Sequence, residues 1–136
     1  MGNYLVYAVS AMALYAGWAF FAKLATDVIP PEQSVIFTYV SSILIVSGYF
    51  FASNTPMEVE PRGIGFSLLA GVLIGAGTLA YYIALDTGSA TVVTSISGMY
   101  IVGTAILGMI FLGDTLSGTN FVGIAFAVGA VVLLAQ

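Results

Sequence analysis

Charged and apolar positions hardly mix along this chain. Five apolar runs, at 3–22, 34–52, 63–85, 90–112 and 120–135, are separated by short polar stretches, and every charged residue lies at or outside a run boundary. Lys23, Asp27 and the Pro30-Pro31 pair close the first run. The stretch "SNTPMEVEPR" closes the second, Asp86 with "TGS" the third, and "GDTLSGT" the fourth. A helix that crosses a bilayer needs about 20 mostly apolar residues. The runs are too long for barrel strands and lack their apolar/polar alternation. The pattern predicts an all-α fold: a polytopic transmembrane bundle with five membrane-spanning helices, forming one domain over 1–136. The fifth run is about 25 Å long at about 1.5 Å per residue, slightly short for a hydrocarbon layer of about 30 Å. Short connections make consecutive helices antiparallel neighbours. An odd number of spans puts the two ends of the sequence on opposite sides of the membrane.

Composition agrees. The chain of 136 residues is 60% hydrophobic and 6% charged, against about 25% charged in a soluble domain. Eight charged side chains cannot supply a soluble protein's polar skin, so lipid must cover most of the surface. Two basic residues make no basic patch, which excludes nucleic acid as a partner. The acidic balance, net −4, suits a salt-rich habitat where self-repulsion is screened, as in a halophile. With neither Cys nor His, the usual zinc sites and His-based catalysis are excluded, and no metal or cofactor is implied. An intramembrane enzyme would need a nucleophile and base at depth; hydroxyls with no His, Cys or buried acid to activate them do not make one. The opening "MGNYLVYAVS" lacks the positive n-region of a cleaved signal, so the first run reads as a retained span. Val6 stands where a myristoylation motif after Met1-Gly2 wants Ser or Thr.

The spans are rich in small residues. Gly71 and Gly75 form a GxxxG pair in the third; Gly103 and Gly108 lie in the fourth, Gly123 and Ala127 in the fifth. Lipid tails give no hydrophobic drive for helix association, and small residues replace it by letting backbones approach closely. These positions read as tight packing inside one bundle or, more sharply, as a dimer face.

Three segments, "GWAFFAKLA", "YYIALDTGSATVV" and "FLGDTLSGTNFVGIAFAVGAVVLL", resemble the drug/metabolite transporter superfamily, and within it the small single-repeat five-helix bacterial and archaeal members with one EamA-like domain. The residues that carry the resemblance are Trp18, Phe20, Phe21, Lys23, Leu24 and Ala25; Tyr81, Tyr82, Ala84, Leu85, Gly88, Ser89 and Ala90; and Leu112, Gly113, Asp114, Leu116, Ser117 and Gly123. There are two departures. Asp114 replaces the usual Glu, and Tyr100-Ile101 replaces a Tyr-Pro midway along the fourth span, which is expected to leave that helix straighter. The resemblance implies a carrier of small metabolites or drug-like amphipathic solutes in the plasma membrane of a prokaryote. Larger relatives hold two such units as an inverted repeat with the substrate near the midplane. One unit then implies a homodimer.

Charge sorts nearly evenly between the two sides: Glu58, Glu60, Arg62 and Asp114 against Lys23, Asp27, Glu32 and Asp86. Orientation follows Lys/Arg bias near the spans, and here it is one against one. Such a chain is expected to insert both ways and pair as an antiparallel dimer; the alternative is one orientation with the N-terminus in the cytoplasm.

The candidate cavity residues are Tyr15, Trp18, Lys23, Thr78, Tyr82, Thr94 and Ser97. Tyr15 and Trp18 share one side of the first span, as interfacial belt or cavity lining. Lys23 reads as a snorkelling anchor or as a cavity-mouth charge that holds an anionic substrate group. Thr78 and Tyr82 share a side of the third span, with Tyr81 about 100° round and packing elsewhere. Thr94, Ser97 and Thr104 form a polar stripe on the fourth, as Ser34, Thr38 and Ser41 do on the second. Membrane hydroxyls often bond back to their own helix. The other reading is a mildly polar wall for neutral or zwitterionic solutes. No carboxylate lies deep in a span, so proton coupling is disfavoured. A second class of function, a structural or accessory membrane protein that packs against a partner without transporting, predicts a solid bundle rather than a cavity.

Overall fold

In the all-α fold, prolines open α2 and α3, and serine side chains cap α4 and α6. The computed structural model describes residues 3–134; the Met1-Gly2 opening and Ala135, at the end of the fifth run, lie outside them. Helix α1 spans Asn3–Thr26, α2 Pro31–Ala52 and α3 Pro61–Thr87. Helices α4 (Ala90–Ser97) and α5 (Tyr100–Leu107) follow, then a π-helical turn (Gly108–Leu112) and α6 (Gly118–Leu134). There is no strand among the described residues. Four apolar stretches are long enough to cross a membrane, counting Ala90–Leu112 as one, and α6 is a shorter apolar helix.

The ends differ from the apolar runs because capping sets them. Helix α2 starts on Pro31, whose fixed φ and missing N–H suit a first helical position, and Glu32 sits favourably in its first turn. Helix α3 also starts on a proline, with the Glu60 carboxylate accepting the Arg62 N–H at 3.1 Å. Ser89 Oγ caps α4 by accepting from the Val92 N–H, and Ser117 Oγ accepts from the Asn120 N–H at the start of α6, both at 3.3 Å. Helix α1 runs past Lys23 to Thr26, because a basic residue in a last turn favours a helix.

The fourth run is not the straighter helix that Ile101 in place of proline led us to expect. It is interrupted at Gly98-Met99, where the hydrogen bonds tighten to i→i−3: Met99 to Ile96, Ile101 to Gly98 and Val102 to Met99. Gly98, which follows Ser95 and Ser97, supplies the break in place of proline. The run ends at Gly113, whose φ of 72° is left-handed and favours glycine. The Asp114 N–H closes this end on the Gly108 carbonyl at 3.2 Å. The Asp114 carboxylate lies against Gly108, where a Cβ would collide with it. This explains the Leu-Gly-Asp spacing locally.

The helices form two compact units, α1–α3 and α4–α6. Within the first, all three pairs of helices touch. Its buried residues gather at one end: Ala19, Ala22 and Thr26 on α1, Ser34 and Val35 on α2, and Thr78, Tyr81, Tyr82 and Leu85 on α3. Within the second, α4 packs on α6. An added Cβ would meet nothing within 4 Å at Gly71, Gly75, Gly103 or Gly123. Within their own units these glycines therefore make no close helix contact. Gly108 is buried under Asp114, and Ala127 is half-buried on α6.

Candidate functional site

The packed end of the α1–α3 unit holds an open cleft of about 280 Å³. Its wall is mostly apolar, with Phe21, Ala22, Ala25 and Ile29 from α1 and its turn and Phe37 from α2. The polar atoms on it come from Trp18, Ser34, Thr38, Ser41 and Tyr82.

A chain of hydrogen bonds crosses the three helices there. The Trp18 indole N–H donates to the Tyr82 hydroxyl at 3.1 Å, which in turn bonds the Thr38 hydroxyl at 2.8 Å. One turn away, the Tyr39 hydroxyl lies within hydrogen-bond distance of the Ile74 carbonyl, at 2.9 Å, and of Thr78 Oγ1, at 2.8 Å, with one hydrogen to give. Tyr82 is 1% exposed, so pairing of its hydroxyl is obligatory: an unpaired buried polar group costs about 1–3 kcal/mol. Aromatic packing reinforces the relay. Trp18 stacks on Tyr81 with ring centroids 5.0 Å apart, and Tyr82 lies 6.0 Å from Trp18. Offset contacts of this kind contribute about 0.5–1.5 kcal/mol beyond burial.

Tyr81, expected to pack elsewhere, is therefore part of the site. The indole is wide enough that two neighbours about 100° apart on α3 both meet it. Of the second span's hydroxyls, Thr38 bonds across to another helix, whereas Ser41 bonds back to the Phe37 and Thr38 carbonyls at 3.0 and 2.9 Å.

Lys23 has partners within the first unit. Its ammonium donates to the Leu85 carbonyl at 2.9 Å and pairs with Asp27 Oδ1 at 2.7 Å. Leu85 lies in the last turn of α3, where carbonyls lack intrahelical partners and the helix end is partially negative. Lys23 thus ties α1 to the C-terminal end of α3 and has its charge met on both sides. We expect Lys23→Met to lower stability by only about 1 kcal/mol, since the pair is partly exposed and water replaces much of what is lost. Thermal unfolding in detergent checks this. A loss above about 3 kcal/mol would mean the ammonium is far more buried than its geometry shows.

The structure brings Trp18, Lys23, Thr78 and Tyr82 to one end of the first unit. Tyr15, one turn before Trp18, is exposed on a stretch of α1 that the unit leaves uncovered. Thr94 and Ser97 are exposed on α4, in the second unit. Among the described residues, no cluster of His, Cys, Asp or Glu fit to hold a metal ion occurs. Asp86 and Asp114 are exposed.

A family model for the EamA-like transporter family matches residues 2–136, almost the whole chain. The chain belongs to that family. No curated protein and no solved structure matches it. As an EamA-like chain it is an integral membrane protein of a family of small-solute transporters, not of enzymes. Bilayer lipid and a small-molecule substrate are its implied partners. The resemblance read from "GWAFFAKLA" and "YYIALDTGSATVV" rests on segments that supply Trp18, Phe21, Ala22, Ala25 and Tyr82 of the cleft.

Proposed function

We propose that this EamA-like chain is one half of an inverted-repeat carrier for small metabolites or drug-like amphipathic solutes, completed by a second copy of itself in the opposite orientation. The observation that carries the transport reading is the cleft at the packed end of α1–α3. A solid helical scaffold would have no use for an open, mildly polar recess beside a buried hydrogen-bond relay. The even split of basic residues, Lys23 against Arg62, supports insertion in both orientations. Two opposed copies would face each other as inverted repeats do, with solute held between them. Trp18, Thr38 and Tyr82 act as the cavity wall, Thr78 braces α2 through Tyr39, and Lys23 positions α3 behind them. Because Asp86 and Asp114 are exposed and the cleft wall has no carboxylate, transport runs as facilitated exchange down a gradient.

The test is uptake of a panel of labelled neutral and zwitterionic amphipathic solutes into liposomes that hold the purified protein. Saturable uptake of at least one solute, competed by unlabelled solute and reduced at least tenfold by Tyr82→Ala, is the expected result. Leak no greater than that of empty liposomes for every solute would favour a purely structural role.

A further inference from the structure

From the hydrogen count of the Trp18–Tyr82–Thr38 relay we infer that the cleft selects an uncharged, mainly apolar solute whose acceptor oxygen, such as an amide or ketone carbonyl, docks on the Thr38 hydroxyl. This rests on the transporter reading above and specifies the substrate of the same site.

The relay has three donor hydrogens: the Trp18 indole N–H, the Tyr82 O–H and the Thr38 O–H. They make two hydrogen bonds, Trp18 to Tyr82 and one between Tyr82 and Thr38. One hydrogen is left over, and burial decides where it resides. Tyr82 is 1% exposed and Thr38 is half-buried on the cleft wall. A spare hydrogen on Tyr82 would be sealed away from any partner, which is costly. Tyr82 therefore donates to Thr38, and the Thr38 hydrogen stays free at the cleft surface. The indole N–H is a donor only and is already spent. The relay thus presents a single polarised donor and calls for an acceptor.

Charge is excluded by the rest of the wall. Among the described residues, no acidic or basic side chain lines the cleft. The nearest cation, Lys23, is committed to Asp27 and the Leu85 carbonyl. A charged solute would give up water without gaining a counter-ion, a heavy cost in an apolar site. Phe21, Ile29 and Phe37 offer an apolar seat for the solute body. At about 280 Å³ the cleft lies just below the usual range of ligand sites, about 300–1,000 Å³, which suits a small solute.

The protein carries its own reporter. Trp18 is the only tryptophan in the sequence and lines the cleft, so its emission reads occupancy. The intact protein in detergent is titrated with four solutes on one ring that do not absorb in the tryptophan region: cyclohexanecarboxamide, cyclohexanecarboxylate, cyclohexylmethylammonium and the zwitterion cyclohexylglycine. The amide is expected to shift Trp18 emission at a concentration at least about tenfold below that of any charged member. Thr38→Val, which keeps the shape and removes the hydroxyl, is expected to weaken the amide about 3- to 10-fold. Thr38→Ser is expected to restore it. Unliganded Trp18 emission checks that both variants keep the packed site. Equal or tighter binding of a charged member, amide binding untouched by Thr38→Val, or no shift with any of the four would overturn the inference. Liposome flux separates the two ideas. Selective amide binding without saturable flux of any solute would sink the transporter reading and leave the cleft chemistry standing. Saturable flux of a charged solute that competes at Trp18 would do the reverse.

Discussion

Tyr82→Ala is expected to destabilise the protein by about 3 kcal/mol and to lower solute flux at least tenfold. Tyr82 is 1% exposed, and it packs on Trp18 and Tyr81. In soluble proteins, cutting a buried aromatic to Ala costs about 3–5 kcal/mol. Part of that is transfer from water, which lipid largely removes, while the packing part remains. The substitution also strands the Trp18 N–H and takes the partner of Thr38. Tyr82→Phe separates the two contributions. It keeps the ring and loses the hydroxyl, and it is expected to cost about 1 kcal/mol, within the range for hydrogen bonds between membrane helices. Helical circular dichroism followed through thermal unfolding gives both values. If Phe costs as much as Ala, the hydroxyl relay rather than ring packing holds this end together. If neither substitution changes the midpoint, the packed end is not where α1–α3 gain their cohesion.

The second large effect concerns orientation. Adding lysines to one side should force a single orientation, because Lys/Arg near the spans decides which side stays in the cytoplasm. Thr55→Lys with Met57→Lys loads the exposed α2–α3 connection; Gln33→Lys with Thr87→Lys loads the opposite side. All four positions are exposed, so folding is expected to survive. Each double variant alone is expected to lose at least 90% of flux when made in cells, since only one orientation is present (about a tenfold fall). Making the two together is expected to restore activity. Full activity from either variant alone would show that a parallel arrangement or a single copy suffices.

The spans were legible in the sequence because the bilayer imposes a length and a composition on each. Their ends were less so. Pro31, Pro61 and Ser117 start helices through backbone and capping chemistry, which a reading of hydrophobic runs ignores. Gly98 interrupts the fourth run without the proline that the comparison pattern placed nearby. At the packed end, Trp18, Thr78 and Tyr82 could be picked out as polar or aromatic residues in apolar surroundings. The contact that Lys23 makes with α3 could not. Its partner is a backbone carbonyl 62 residues away, and a carbonyl leaves no mark in a sequence. Tyr81 was misplaced because periodicity treats a side chain as a direction, whereas stacking depends on the reach of the neighbouring ring. Thr38 stood in a row with Ser34 and Ser41, and only helix rotation distinguishes the hydroxyl that crosses to α3 from one that turns back.

A carrier built from two copies of opposite orientation must expose each connection on both sides of the membrane, which side-specific labelling reads. The sequence has no cysteine, so a single Thr55→Cys, in the exposed connection between α2 and α3, gives one reactive thiol. In right-side-out cells or vesicles, a membrane-impermeant thiol reagent is added before or after permeabilisation. About half of the molecules should be labelled from outside, and the remainder only once the membrane is opened. Labelling confined to one side would contradict the account.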